Sequence, residues 1–202
     1  MHGAFMEIQQ VLAFWFGSTI NRETPGKQAK LWWSKQPTID QQIRRDFEDG
    51  LQALIRGEYI KWLETAHGRL AAIIVADQFS RNMYRDSPQA FTQDAMALDW
   101  CLEGIDNGQD LELKPIERTF FYLPLEHSED LAMQALSCRQ FAQLFHQVPQ
   151  SEAEAFRGFS EFAERHREVI LQFGRFPHRN ATLGRHSTVE EQQYLKTPGS
   201  GF

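Results

Sequence analysis

In the stretch HREVILQFGRFPHRNATLGRHS (His166 to Ser187), Arg175, His178, Arg179, Asn180 and Arg185 fall within eleven positions, directly after an apolar helical run. From Arg165 to His186, Arg165, Arg167, Arg175, Arg179 and Arg185 stand against Glu168 alone, a local excess of positive charge in a chain of net charge −6. A guanidinium is a planar fork that grips carboxylate or phosphate at two points. Arg81 and Arg85, in DQFSRNMYR (Asp77 to Arg85), therefore join Arg175, Arg179 and Arg185 as a candidate anion-binding set. Asp77, Gln78, Asn82, His178 and Asn180 are the polar companions of that set and count with it as candidate ligand-binding residues. Asp77 and Arg81 are four apart, the spacing of an ion pair along one helix. Asp77 also follows the apolar run LAAIIVA, which predicts partial burial. A structural ion pair and a ligand pocket both fit that spacing.

Acid–base chemistry has three candidates, Glu126, His127 and His166. Glu126-His127 puts a carboxylate beside an imidazole just after Pro124, a pair that can give and take protons. His166 shares a helix face with Phe159, Phe162, Ile170 and Phe173 and so points inward. There an imidazole must find a partner or cost roughly 1 to 3 kcal/mol, and a satisfied core histidine is the competing reading. With His178 or Asp77 these residues are also of the types that bind zinc or non-haem iron. They lack the H-E-x-x-H or His-x-His spacing of such sites, so neither a metal nor a cofactor is expected. The glycines near Arg175 and Arg185 do not form a G-x-x-x-x-G-K-[ST] loop, which sets aside nucleotide binding of that kind. The net negative charge argues against broad contact with nucleic acid or anionic lipid, since both rely on summed Lys and Arg. Any anion site must be local.

The elements that position these residues are helices. Periodicity near 3.6 runs from end to end without alternating strands or Asn-Gly hairpins, so the fold class is all-α. A chain of 202 residues with 42% hydrophobic residues, including 16 Phe and 5 Trp, can fill a sizeable core. Single cores extend to roughly 250 to 300 residues, so one domain over residues 1–202 is expected in preference to two small ones. AFMEIQQVLAFWFG reads as an amphipathic first helix, followed by an NRETPGKQ loop and a short LWWS turn. Pro37 opens a helix with the stripe Ile43, Phe47, Leu51, Leu54 and Ile55. The next helix places His67, Leu70, Ile74, Asp77 and Arg81 along one side. Ser87-Pro88 begins another, ending near Gly108, and Lys114-Pro115 a short aromatic one that Pro124 should end or kink. Ser128 is the expected cap of SEDLAMQALSCRQFAQLFHQV. Capping boxes are read at Ser151–Glu154 and Ser187–Glu190, with Gly174 as the stop between them. About eight helices with short connections imply antiparallel neighbours. Cys101 and Cys138 have no C-x-x-C spacing, and no run approaches the roughly 20 apolar residues of a membrane span, so a cytoplasmic protein without membrane contact is expected.

FWFG (Phe14 to Gly17), Trp32-Trp33, DQFSRNMYR, YLPLEHSED, GRFPHRNATLGR and STVEEQQYL together resemble a bacterial family known as domain of unknown function 924, across nearly the whole chain. The resemblance implies an all-α array similar to tetratricopeptide-repeat superhelices, with no established activity. Positions that match its motifs are Asp77, Gln78, Arg81, Asn82, Arg85, Glu126, His127, Gly174, Arg175, Phe176, Pro177, His178, Arg179, Asn180 and Arg185; Ser80 stands where the pattern leads us to expect proline. Two functional readings follow. In one, DQFSRNMYR and GRFPHRNATLGR meet around an Arg/His/Asp pocket that binds or processes a small anionic ligand. In the other, the protein is a helical-repeat module for a peptide or protein partner, and the polar network is purely structural. The sequence names neither a reaction nor an oligomeric state.

Overall fold

The computed structural model describes residues 5–17 and 25–201. Of these residues 73% are helical, and none forms a strand. Contacts gather the described residues into two compact units, those within 1–85 and 89–113 and those within 86–88 and 114–202.

The first unit carries α1 (Ile8–Phe16), α2 (Pro25–Trp33), α3 (Pro37–Ile55), α4 (Ala66–Ile73), α5 (Ser80–Met83) and α6 (Asp94–Asp106). The run LAAIIVA is apolar all round, and a helix of that kind needs neighbours on every side. It supplies the centre of the unit, where every residue from Gly68 to Ser80 is buried. α4 packs on α1 and α6, while α3 packs on α5 and on the segment that joins α4 to α5. Phe14 of α1, Phe47 of α3 and Phe79 of that joining segment meet in edge and tilted ring contacts of 4.6 to 5.7 Å. The expected α3 stripe is buried at Ile43, Phe47, Leu51 and Leu54, whereas Ile55, the last residue of the helix, is exposed.

Local departures from the expected elements have local causes. Asn21 to Thr24 of the expected NRETPGKQ loop lie outside the described residues, and the rest of it, with LWW, is helical as α2. Ser87-Pro88 leads into a single 3-10 turn, Pro88–Phe91, and α6 begins only at Asp94. Between α4 and α5 the segment Ile74–Phe79 is a π-helical turn, which adds a residue to the turn and rotates everything beyond it. Upstream of it, in the first turns of α4, His67, expected inside, is exposed, whereas Leu70, Ile74 and Asp77 of the same stripe are buried, and so is Arg69.

The second unit is built from α7 (Pro115–Glu126), α8 (Leu131–Gln147), α9 (Ala153–Phe173) and α10 (Val189–Tyr194). Glu117 to Glu126 are all buried, with α7 packed on both α8 and α9. The helix runs through Pro124 to Glu126, so the Phe120 carbonyl lacks its usual helical donor. Asp130, not Ser128, caps α8, accepting from the amides of Ala132 and Met133. Ser151 and Glu154 form no capping box. The C-terminal box forms one residue later than read, between Thr188 and Glu191. Gly174 ends α9 as expected, in the left-handed region at φ 67° with its amide on the Ile170 carbonyl.

At Gly68 a side chain has no room: a Cβ there would lie 2.2 Å from the Trp62 carbonyl oxygen. Gly158, inside α9, would meet nothing within 4 Å. Gly68→Ala should cost roughly 1 to 3 kcal/mol through backbone displacement, whereas Gly158→Ala should add about 0.4 to 1 kcal/mol through helix propensity and a stiffer unfolded chain. Urea unfolding of the two variants checks both signs.

Candidate functional site

In the first unit, Asp77 and Gln78 ride on the π-helical turn, a feature that recurs at functional sites. Asp77 is 1% exposed. Its carboxylate accepts from Arg81 Nη1 at 2.8 Å and from Gln78 Nε2 at 2.6 Å. Arg81 also makes two parallel bonds of 3.0 Å to Asp94 and lies over the Phe91 ring at 5.6 Å. Burial pulls the Arg81 pKa down, but the carboxylates of Asp77 and Asp94 outweigh it and leave the guanidinium more firmly protonated than usual. Asn82 and Arg85 meet on Asp40 of α3, Asn82 at 2.8 Å and Arg85 through both edges of its fork at 2.7 and 2.8 Å. Burial raises the Asp40 pKa, and the Arg85 and Asn82 bonds reverse that to a net lowering. Neither Asp40 nor Asp94 is singled out by the sequence, because nothing in their own neighbourhood marks them as partners.

In the second unit, two glutamates organise the loop after Gly174. Glu129 receives the Arg185 fork at 2.7 and 3.0 Å and the Phe176 amide at 2.8 Å, while Arg185 donates onward to the Phe176 carbonyl at 3.1 Å. Phe176 is thus held at both its amide and its carbonyl. Glu191, 2% exposed, receives Arg175 at 2.6 and 2.8 Å, Asn180 at 3.1 Å and the Thr188 amide at 2.8 Å. The Arg175 hydrogen bond is the chief reason its pKa falls to about 2. Arg175 and Arg185 of the loop therefore have carboxylate partners within the unit. Both glutamates sit inside motifs quoted above, YLPLEHSED and STVEEQQYL, so the signal was present although the pairing was not.

Around Phe176 the remaining candidates gather. Arg179 places its guanidinium 4.5 Å above the ring and donates to the His127 carbonyl at 3.0 Å. His166 and His178 have their rings 5.5 and 5.6 Å from that of Phe176. Glu126 on α7 and His166 on α9 are buried at 3% and 2% exposure, and Glu126 Oε1 lies 3.5 Å from His166 Nδ1. Nδ1 also faces the Phe162 carbonyl at 2.9 Å; a carbonyl can only accept, so we assign the proton to Nδ1 and leave Nε2 as the basic nitrogen. Burial pushes the His166 pKa down to about 3 and that of His178 to about 4, with the Arg179 charge adding to both. His166 is therefore neutral near pH 7, and its contact with Glu126 is not an ion pair. Among the described residues no three His, Cys, Asp or Glu side chains gather as a metal's ligands would.

The profile of a family described as bacterial protein of unknown function, domain of unknown function 924, matches residues 11–199. The chain belongs to this family. A solved structure, that of a protein of unknown function from Agrobacterium tumefaciens, is 33% identical, covers 94% of this chain and 96% of its own, and superposes with a TM-score of 0.79. No curated protein matches the chain. Membership in the domain 924 family thus carries a fold, and the chemistry rests on the residues above. Among the described residues no helix is long and apolar enough to cross a membrane.

The two buried imidazoles make a pH test. Unfolded histidine titrates near 6.5, whereas His166 and His178 hold out to about 3 and about 4 when folded. Below pH 6.5 the unfolded chain takes up protons that the folded one refuses. Stability is therefore full above that pH and falls as the pH drops, by about 1.4 kcal/mol per unit for each histidine. Urea unfolding between about pH 6.5 and 4.5, above the range where Glu191 titrates, should show that slope. His166→Gln should reduce it by one proton's worth.

Proposed function

We propose that this domain 924 protein binds, and where chemistry follows binding processes, a small anionic ligand at the polar centre of its second unit. The observation that carries this reading is the opposition of Glu126 and a neutral His166 at 3.5 Å, both almost fully buried. Burying a carboxylate and an imidazole in one core works against stability, and strongly shifted titrating groups in such surroundings concentrate where a protein does chemistry. In this reading Glu126 and His166 are the proton-transfer pair. Arg179, set over Phe176 and held by the His127 carbonyl, orients the anion, and His178 lies beside the same ring. Arg175, Asn180 and Arg185 act as frame, as do Asp77, Gln78, Arg81, Asn82 and Arg85 in the first unit.

A second reading draws on a different observation. Arg81, Arg85, Arg175 and Arg185 each already hold a carboxylate of their own unit. That is what a purely structural network would look like in a tetratricopeptide-repeat-like, cytoplasmic module for a peptide or protein partner.

A thermal-shift screen with inorganic phosphate, phosphate esters and small carboxylates separates the two. A ligand at about 100 times its dissociation constant stabilises by roughly 2.7 kcal/mol, or roughly 5 to 11 °C for a chain of this size. The shift should vanish in Arg179→Ala and persist, with any turnover lost, in Glu126→Gln. No shift above about 2 °C, together with destabilisation by Arg179→Ala of roughly 3 to 5 kcal/mol, would leave the network as architecture.

A further inference from the structure

The first unit contains a cleft of about 630 Å³, within the usual size range of small-molecule sites. The 3-10 turn Ile60–Glu64 and the C-terminal end of α6 flank it, and Arg69 of α4 forms its floor. Arg69 is 2% exposed. Its fork is held from behind: Nε donates to Gln109 Oε1, Nη1 to the Trp100 carbonyl at 3.0 Å and Nη2 to the Leu63 carbonyl at 2.9 Å. Gln109 is fixed in turn by its own bond to the Leu63 carbonyl at 3.2 Å. On the solvent side Nη1 meets Glu103 at 2.9 Å, and the Glu103 side chain is 58% exposed. Those four bonds leave one Nη2 N–H, of the five a guanidinium carries, without an acceptor among the described residues. A buried, rigidly oriented cation thus lies under a carboxylate that water already solvates.

The other walls define what fits above it. Glu64 is exposed on one side and Asn107 on the other, and Ile60, 62% exposed, stands with Leu63 as an apolar wall. One fixed positive group, two exposed negative groups, an amide and an aliphatic surface are complementary to a molecule carrying the same features with opposite sign. We propose that this cleft is a second ligand site, separate from the Glu126–His166 centre, and that it takes a free aliphatic α-amino acid. The ligand carboxylate bonds Arg69 through the remaining Nη2 N–H and displaces Glu103 from Nη1. The released Glu103, with Glu64, accepts the ligand ammonium, and the side chain lies on Ile60 and Leu63. Exchanging the Glu103 carboxylate for that of the ligand keeps the buried guanidinium paired, and the ligand ammonium adds charge-assisted bonds to Glu103 and Glu64.

Calorimetric titration of the full chain with L-leucine, leucinamide, 4-methylpentanoate and 3-methylbutylamine tests each element. L-Leucine should bind, and the three analogues, each lacking one charged group, should bind at least about tenfold more weakly, the loss expected for one charge-assisted bond. Arg69→Lys should abolish binding. Because that residue is buried and its variant can fail to fold, Glu103→Gln is the deciding substitution: its side chain is mostly in water, and it should keep the fold while weakening L-leucine by about tenfold. No heat with L-leucine, equal binding of 4-methylpentanoate, or unchanged affinity in Glu103→Gln would each overturn the proposal. None of these results depends on the Glu126–His166 centre, whose variants should bind L-leucine as wild type does.

Discussion

An arginine cannot shed its proton inside a protein, and stranding it there without a counter-charge costs several kcal/mol. Four of the arginines drawn into this structure therefore dictate where an acid has to be. Arg81 requires Asp94 of α6 beside Asp77, and Arg85 requires Asp40 of α3. Arg185 requires Glu129 ahead of α8, and Arg175 requires Glu191 in α10. These ties join residues 13 to 56 positions apart. They set the register of helices within a unit more narrowly than the greasy contacts can, because a fork accepts a carboxylate only within a small range of angles. The hydrophobic residues supply the driving force, and the charged clamps select one packing among many.

What was readable in the sequence was what is decided locally. The helical class, the stop at Gly174 and the inward aim of His166 all follow from spacing within a few turns. The π-helical turn at Ile74–Phe79 was not readable, because a count of steps assumes a constant pitch, and with every residue from Gly68 to Ser80 buried the stripe does not mark one inner side. Caps were displaced by one or two positions where a neighbour made a better offer. Thr188 takes the cap position and Glu191 the third helical position of the box, where its carboxylate also serves Arg175 and Asn180. Among the site residues the types were visible but not the partners, since Asp40, Asp94 and Glu129 find their arginines only after the chain has folded back on itself.

Ser80 shows how such a change is absorbed. It stands where the family pattern suggests proline, and its amide donates to the Asp77 carbonyl at the end of the π-helical turn. Proline has no such donor. Its side-chain hydroxyl is buried with no hydrogen bond among the described residues, so serine gains a backbone bond and carries a small desolvation cost in return. The carboxylate of Asp77, which binds Arg81 and Gln78, is untouched by either choice.

The position of Glu191 has a consequence for how the C-terminal region opens. A six-residue helix such as α10 is far too short to hold itself together in water. Its first turn depends on the same carboxylate that anchors Arg175 and Asn180 in the preceding loop. Fraying from the C-terminal end cannot release that turn without also releasing the loop. The two segments therefore form one cooperative unfolding unit, and their amides should exchange with solvent deuterium through a single shared opening, with a single free energy.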